Sequence, residues 1–172
     1  MKRNSFLVVV DMQNDFIDGA LGSKEAVAIV DRVIRTVKEF EGEVIFTRDT
    51  HGENYLQTRE GRLLPVEHCI ENSDGWQLQP ALKELAEGHT VIDKPSFGSM
   101  ALAQYIKSRC VPDTIVLIGL CTDICVINNA MILKAAFPEA EIFVDSKACA
   151  GTTPENHENA LKAMKQCQIL IL

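Results

Sequence analysis

Thr114-Ile115-Val116-Leu117-Ile118-Gly119-Leu120-Cys121-Thr122-Asp123-Ile124-Cys125-Val126 is the stretch that decides the fold. Thr114 to Ile118 is dominated by β-branched and apolar side chains and reads as a buried parallel strand that stops at Gly119. From Cys121 to Ala136, apolar groups at Val126, Ala130, Leu133 and Ala136 recur close to helical spacing until Pro138 ends the run. Cys125 therefore falls in the first turn of a helix that leaves the carboxyl end of a strand. Free N–H groups and the helix dipole at that point favour a thiolate and can also receive an oxyanion. A free cysteine taken alone is more often a packing residue, so partners must decide the matter.

Two other strand ends supply them. Phe6 to Val10 is an unbroken apolar run ending in Asp11, and Thr90-Val91-Ile92 ends in Asp93-Lys94. Ligands of open α/β sheets bind outside the carboxyl ends of the strands, so Asp11, Lys94 and Cys125 can meet in one crevice. A carboxylate can take the thiol proton, and a lysine cation can hold both anions.

The rest of the chain alternates in the same way. Ala26, Ile29, Val33 and Val37 line one face of a helix capped by Ser23, and Val44 to Thr47 is a strand. Leu78, Leu82 and Leu85 mark a short helix closed by Gly88, and another runs from about Ser99 to Arg109. Glu141 to Val144 is a strand, Thr153-Pro154 opens a helix, and Ile169 to Leu172 is the last strand. Six strands joined by helical crossovers predict a three-layer α/β/α domain over residues 1–172, with a mainly parallel, doubly wound sheet.

Composition fits one globular domain of 172 residues, with 47% hydrophobic and 24% charged side chains. The net charge of −7 disfavours nucleic acid or an anionic membrane surface as partner. The first apolar run spans five residues and is too short for a secretory or membrane segment, so the expected compartment is the cytoplasm. Six scattered cysteines do not form a disulfide pattern; Cys121, at the strand-to-helix junction, is the one competitor to Cys125. A homo-oligomer is expected.

Residues 48–76 break the rhythm with a long connection that lacks periodicity, and loops of this length in compact domains are commonly functional. Asp49-x-His51 can chelate a divalent ion from a strand-end turn, His68 can close the site, and Glu60 is a fourth candidate. Two imidazoles with one or two carboxylates suit zinc, iron or manganese. Exposed loop histidines without a metal are the alternative.

Together these residues carry a family resemblance. Asp11-Met12-Gln13-Asn14-Asp15-Phe16, Asp49-Thr50-His51, His68-Cys69, Lys94, Gly119-Leu120-Cys121-Thr122-Asp123-Ile124-Cys125-Val126 and Pro154-Glu155-x-His157 occur in this order. The chain is similar, from residue 6 to its end, to the cysteine hydrolases typified by nicotinamidase and isochorismatase. The resemblance implies a catalytic triad of Asp11, Lys94 and Cys125, a cis peptide at Leu120–Cys121, and an oxyanion hole from the N–H groups of Cys121 and Cys125. It further implies one divalent ion, zinc before iron or manganese, on Asp49, His51 and His68, as in the nicotinamidases. Phe16 would pack on a pyridine ring, with Leu64, Phe97 and Leu120 as further substrate contacts. Leu64 stands where nicotinamidases usually carry tryptophan, and the stretch from Pro65 to His68 is one residue longer. The implied activity is hydrolysis of a small carboxamide, nicotinamide to nicotinate and ammonia, in NAD salvage. The alternatives are a metal-independent hydrolase of another small amide, ureido acid or enol ether, and a binding protein that has kept the fold.

Overall fold

The computed structural model describes residues 4–172. Six strands form one sheet: β1 (Ser5–Val10), β2 (Glu43–Asp49), β3 (Thr90–Lys94), β4 (Thr114–Leu120), β5 (Glu141–Ala150) and β6 (Leu170–Ile171). Their order is β3-β2-β1-β4-β5-β6 and every pairing is parallel. The chain builds β1 to β3 outward in one direction, then returns to place β4 on the other side of β1. The carboxyl ends of β1 and β4 thus flank the switch point where such sheets open a crevice.

Alternation along β1 assigns the two faces. Phe6, Val8 and Val10 point to one core with α5 (Met100–Arg109), α6 (Ile127–Ala136) and α7 (Pro154–Gln166); Leu7 and Val9 point to the other with α2 (Lys24–Glu39) and α4 (Pro80–Ala86). The expected caps are present: Ser23 Oγ accepts from Ala26 N–H at 3.0 Å, and Thr153 Oγ1 from Asn156 N–H at 3.0 Å. All six cysteines are free. Among the described residues, no helix is long and apolar enough to cross a membrane.

The structure departs from the sequence expectation at points that shape the site. β4 continues through Gly119 to Leu120, because Gly119 adopts a φ of +113° that keeps it paired with Val10. β5 runs on to Ala150 through a register shift; the polar Asp145-Ser146-Lys147 step inside it masks the strand, and Asp145 turns out to accept two hydrogen bonds from Arg32 of α2. The long connection after β2 is not structureless. It holds a short helix, α3 (Arg59–Leu63), preceded by a single 3₁₀ turn at Tyr55–Gln57, both too short to leave a periodic signal; the equally unsignalled α1 (Asn14–Ile17) follows β1.

Candidate active site

Four strand ends deliver the site. Asp11 follows β1, Asp49 ends β2, Lys94 ends β3 in register with Asp49, and Cys125 lies just beyond β4. Lys94 Nζ stands 2.7 Å from Asp11 Oδ2, 3.4 Å from Cys125 Sγ and 3.2 Å from Asp49 Oδ1, and donates to the Ser96 carbonyl at 3.0 Å. All four side chains are buried. Asp11 holds a left-handed φ of +47°, and its Oδ1 accepts from the Thr47 hydroxyl at 2.7 Å.

Cys125 does not sit in an ordinary first α-turn. Thr122–Val126 form a π-helical turn ahead of α6, closed on the Cys121 carbonyl by Val126 N–H at 3.0 Å and Ile124 N–H at 3.1 Å. The Leu120–Cys121 peptide is cis. Cys121 and Cys125 therefore share one strand-to-helix junction.

Electrostatics correct the expectation of an easily ionised thiol. Burial, followed by the charge of Asp11, pushes the Cys125 thiol well above its ordinary value, and the Lys94 cation only partly opposes this. Burial also raises Asp11 against the pull of Lys94, which makes it a stronger base than an exposed carboxylate. Lys94 is driven upward in spite of its own burial, by Asp11 first and then by Cys125 and Asp49. Cys121 too is pushed up to about 12, by burial and then by the Asp123 charge; what sets Cys125 apart is the Lys94 Nζ 3.4 Å from its sulfur.

Beside this cluster lies a second one. Asp49, His51, Glu60 and His68 each offer one ligand atom, and the four atoms lie within 4.8 Å of one another. His51 Nε2 is 2.9 Å from Asp49 Oδ2 and 3.6 Å from Glu60 Oε1; His68 Nε2 is 3.7 Å and 3.9 Å from the same two atoms. A parallel bridge between His51 and Ile70 brings the far end of the long connection back to β2, which is why residues so far apart in sequence meet. His68 Nδ1 is hydrogen bonded to the Val66 carbonyl at 2.8 Å, which orients Nε2 toward the group.

The donor set fits a divalent ion. Ligand atoms about 2.0–2.2 Å from a tetrahedral centre would be separated by roughly 3.4 Å, close to the spacings found. Burial and the neighbouring Asp49 raise Glu60, a repulsion between carboxylates that a cation between them would relieve. Asp49, although buried, is held well below the usual carboxylate range by the two imidazoles and Lys94. Nitrogen and oxygen donors without thiolate suit zinc, iron or manganese.

Both clusters open into one largely apolar cavity of about 370 Å³. Its walls include Cys125, Cys121, Asp49, Glu60 and His68, together with Phe16, Leu64 and Phe97. Leu120 is placed differently. It is fully buried in the core with α2 and α4, one residue short of the cavity wall, and takes no part in lining it. Sequence reading had not singled out Leu21, Arg59, Leu63 and Ile124 on the wall, nor Thr47 and Tyr55 behind it. Tyr55 is fully buried, with ring centroids 4.7 Å from His51 and 4.9 Å from His68, and it donates to the Leu64 carbonyl at 2.9 Å. An aromatic four residues after His51 in a stretch without periodicity carries no signal of that role.

Residues 5–172 match the family model described as the isochorismatase domain. A nicotinamidase of Acinetobacter baylyi is 27% identical over 177 residues, covering 83% of this chain and 80% of that protein. Among solved structures, the pyrazinamidase of Pyrococcus horikoshii in complex with zinc superposes with a TM-score of 0.84 at 30% identity over 98% of each chain. The nicotinamidase/pyrazinamidase PncA of Bacillus subtilis gives 0.86 at 28% identity, again over 98% of each. The chain belongs to the isochorismatase family of hydrolases, in its nicotinamidase branch.

Proposed function

We propose that the protein is a single-domain, metal-containing nicotinamidase that hydrolyses nicotinamide to nicotinate and ammonia through a Cys125 thioester. The observation that carries the reading is Lys94 Nζ held 2.7 Å from Asp11 and 3.4 Å from Cys125, at one end of a cavity whose wall also presents Asp49, Glu60 and His68. The nicotinamidase of A. baylyi and the zinc-bound pyrazinamidase of P. horikoshii support the substrate class and the ion.

Asp11 removes the proton from Cys125 as the sulfur attacks the carboxamide carbon. The N–H groups of Cys121 and Cys125 receive the oxyanion, and removing one such donor elsewhere costs about 2.7–4 kcal/mol of transition-state stabilisation. Asp11 returns its proton to the departing ammonia, then activates the water that cleaves the thioester. Lys94 opposes the upward push of burial on Asp11 and offsets the sulfur's negative charge as it forms. Asp49, His51, Glu60 and His68 would hold a divalent ion, which when bound would supply Lewis-acid chemistry at the wall of the substrate cavity. Phe16, Leu64 and Phe97 pack on the ring.

Ammonia release from nicotinamide, measured with and without chelator, tests the reading. Turnover that chelator abolishes and metal restores is the expected result. Turnover of other small amides but not nicotinamide, unaffected by chelator, would replace it with the metal-independent branch.

A further inference from the structure

Asn129 lies in α6, four residues after Cys125, and is fully buried. A buried asparagine inside a helix must find partners for its amide away from water, since an unpaired polar group there is costly. Asn129 finds them on the backbone of two different segments. Its Nδ2 donates to the Cys125 carbonyl at 2.8 Å and to the Phe97 carbonyl at 3.1 Å, and its Oδ1 accepts from Ser99 N–H at 3.0 Å. The partners fix the amide's orientation, because carbonyls only accept and the N–H only donates.

The Phe97–Ser99 segment follows β3 and bears directly on the site. Ser96, just before it, supplies the carbonyl that accepts from Lys94 Nζ at 3.0 Å. Phe97 forms part of the cavity wall, and Ser99 caps α5 by accepting from Leu102 N–H at 3.1 Å. Gly98 is pressed onto α6 so closely that a Cβ there would meet Ile132 Cδ1 at 2.5 Å. One amide thus joins the turn that carries the sulfur to the loop that carries both an acceptor for Lys94 and a wall of the cavity.

We propose that Asn129 is a positioning residue that fixes Cys125 relative to Lys94 and Phe97, its bond to Cys125 serving the reaction step and its bonds to Phe97 and Ser99 serving substrate binding. The proposal rests on the reading of Cys125 and Lys94 as reacting groups.

Two substitutions separate the two ends. Asn129→Thr retains a hydroxyl that can bond the carbonyl four residues back in a helix, and loses the bonds to Phe97 and Ser99. Asn129→Ala loses all three, with Asn129→Val, which has threonine's shape but no hydrogen-bonding atom, as substitute should the alanine variant not fold. Kinetics on nicotinamide are measured with metal-loaded protein, below the unfolding transition of each variant. Asn129→Thr should raise KM about three- to tenfold with kcat changed by less than about twofold, and Asn129→Ala should also lower kcat about tenfold or more. Iodoacetamide labelling of Cys125, read by mass spectrometry, should change at least about threefold in Asn129→Ala and stay near the parent rate in Asn129→Thr.

A general loosening of the fold would move kcat and KM together in both variants, and that result overturns the proposal. An unchanged KM in Asn129→Thr overturns it as well. If the parent protein releases no ammonia from nicotinamide, the substrate reading fails instead. The labelling comparison then still decides: an unchanged Cys125 rate in Asn129→Ala removes the positioning role.

Discussion

Gln13 and Asp49 exchange two hydrogen bonds: Gln13 Nε2 donates to the Asp49 carbonyl at 2.8 Å, and Asp49 N–H donates to Gln13 Oε1 at 2.7 Å. The same amide also donates to the Trp76 carbonyl at 2.9 Å, so one fully buried side chain ties the end of β1 to the end of β2 and to the return of the long connection. What it holds in place is the residue shared by both clusters. Asp49 turns Oδ1 toward Lys94 and Oδ2 toward His51.

Gln13→Ala should therefore act on metal binding without touching the ion. Residues that orient a ligand commonly change metal affinity by about 10–100-fold, and that loss is expected here. Leaving buried partners unpaired should also lower stability by about 1–3 kcal/mol. Chelator competition and thermal unfolding measure the two. Parent-like metal affinity would mean that β2 alone holds Asp49.

Cys125→Ala should abolish ammonia release and leave the circular dichroism spectrum unchanged, because the side chain packs as a small hydrophobe whose replacement leaves little void. Full activity would move the nucleophile to Cys121.

The thiol's environment gives a sharper test through pH. The buried Cys125 is pushed upward, so its labelling in chelator-treated protein should still be rising above about pH 8.5, the ordinary thiol value. Asp11 contributes to that upward push and Lys94 opposes it. Asp11→Asn should thus label faster at a given pH although it cannot turn over, and Lys94→Met should label more slowly. Rate profiles across a pH series decide. Opposite signs would mean that Asp11 and Lys94 do not act on the sulfur as their positions require.

Much of this site is legible in the sequence. Asp11 and Lys94 close two apolar strand runs and Cys125 opens the helix that follows a third, and parallel pairing puts such ends side by side, so the pattern of runs points to all three. Asp49 and His51 were legible for the same reason. Fixing His68 and Glu60 on them needed a bridge between His51 and Ile70 and a five-residue helix, both made by contacts that leave no local pattern. The π-turn escaped detection because its apolar residues match an α-helix equally well. The Cys125 thiol was misjudged because helix dipoles can be read from sequence, whereas burial of the sulfur beside Asp11 cannot. Leu120 was assigned to the cavity by likeness, but alternation along β4 turns it into the core.

The two carboxylates of the metal group should make unequal contributions. Asp49 is fixed by Gln13 and faces three partners, whereas Glu60 is half-buried on the short helix α3 and repelled by Asp49. Asp49→Asn should abolish metal binding, and Glu60→Gln should weaken it by about 10–100-fold while retaining about one ion per chain at saturating metal. Zinc added to chelator-treated parent protein should raise the unfolding midpoint, since an ion bound only by the folded state stabilises it. Elemental analysis and melting curves measure both. A Glu60→Gln protein with parent affinity would leave the ion to Asp49, His51 and His68.

Gly119 offers the severest test of how closely β1 and β4 must approach to bring Asp11 beside Cys125. Its φ of +113° lies where side-chain-bearing residues rarely go, and a Cβ there would stand 2.1 Å from the Val10 carbonyl oxygen. The backbone strain alone costs about 1–3 kcal/mol, and the clash with a neighbouring strand's main chain adds to it, because neither strand can retreat without breaking the ladder. Gly119→Ala should therefore lower the unfolding midpoint sharply or prevent folding. Where folded protein is recovered, activity should fall even below that midpoint, since the β1 end that carries Asp11 must shift away from Cys125. Thermal unfolding and ammonia release on the soluble fraction give both readings. A variant that folds and turns over like the parent would mean that the sheet yields at the switch point, and the spacing of Asp11 from Cys125 would then not depend on the missing side chain.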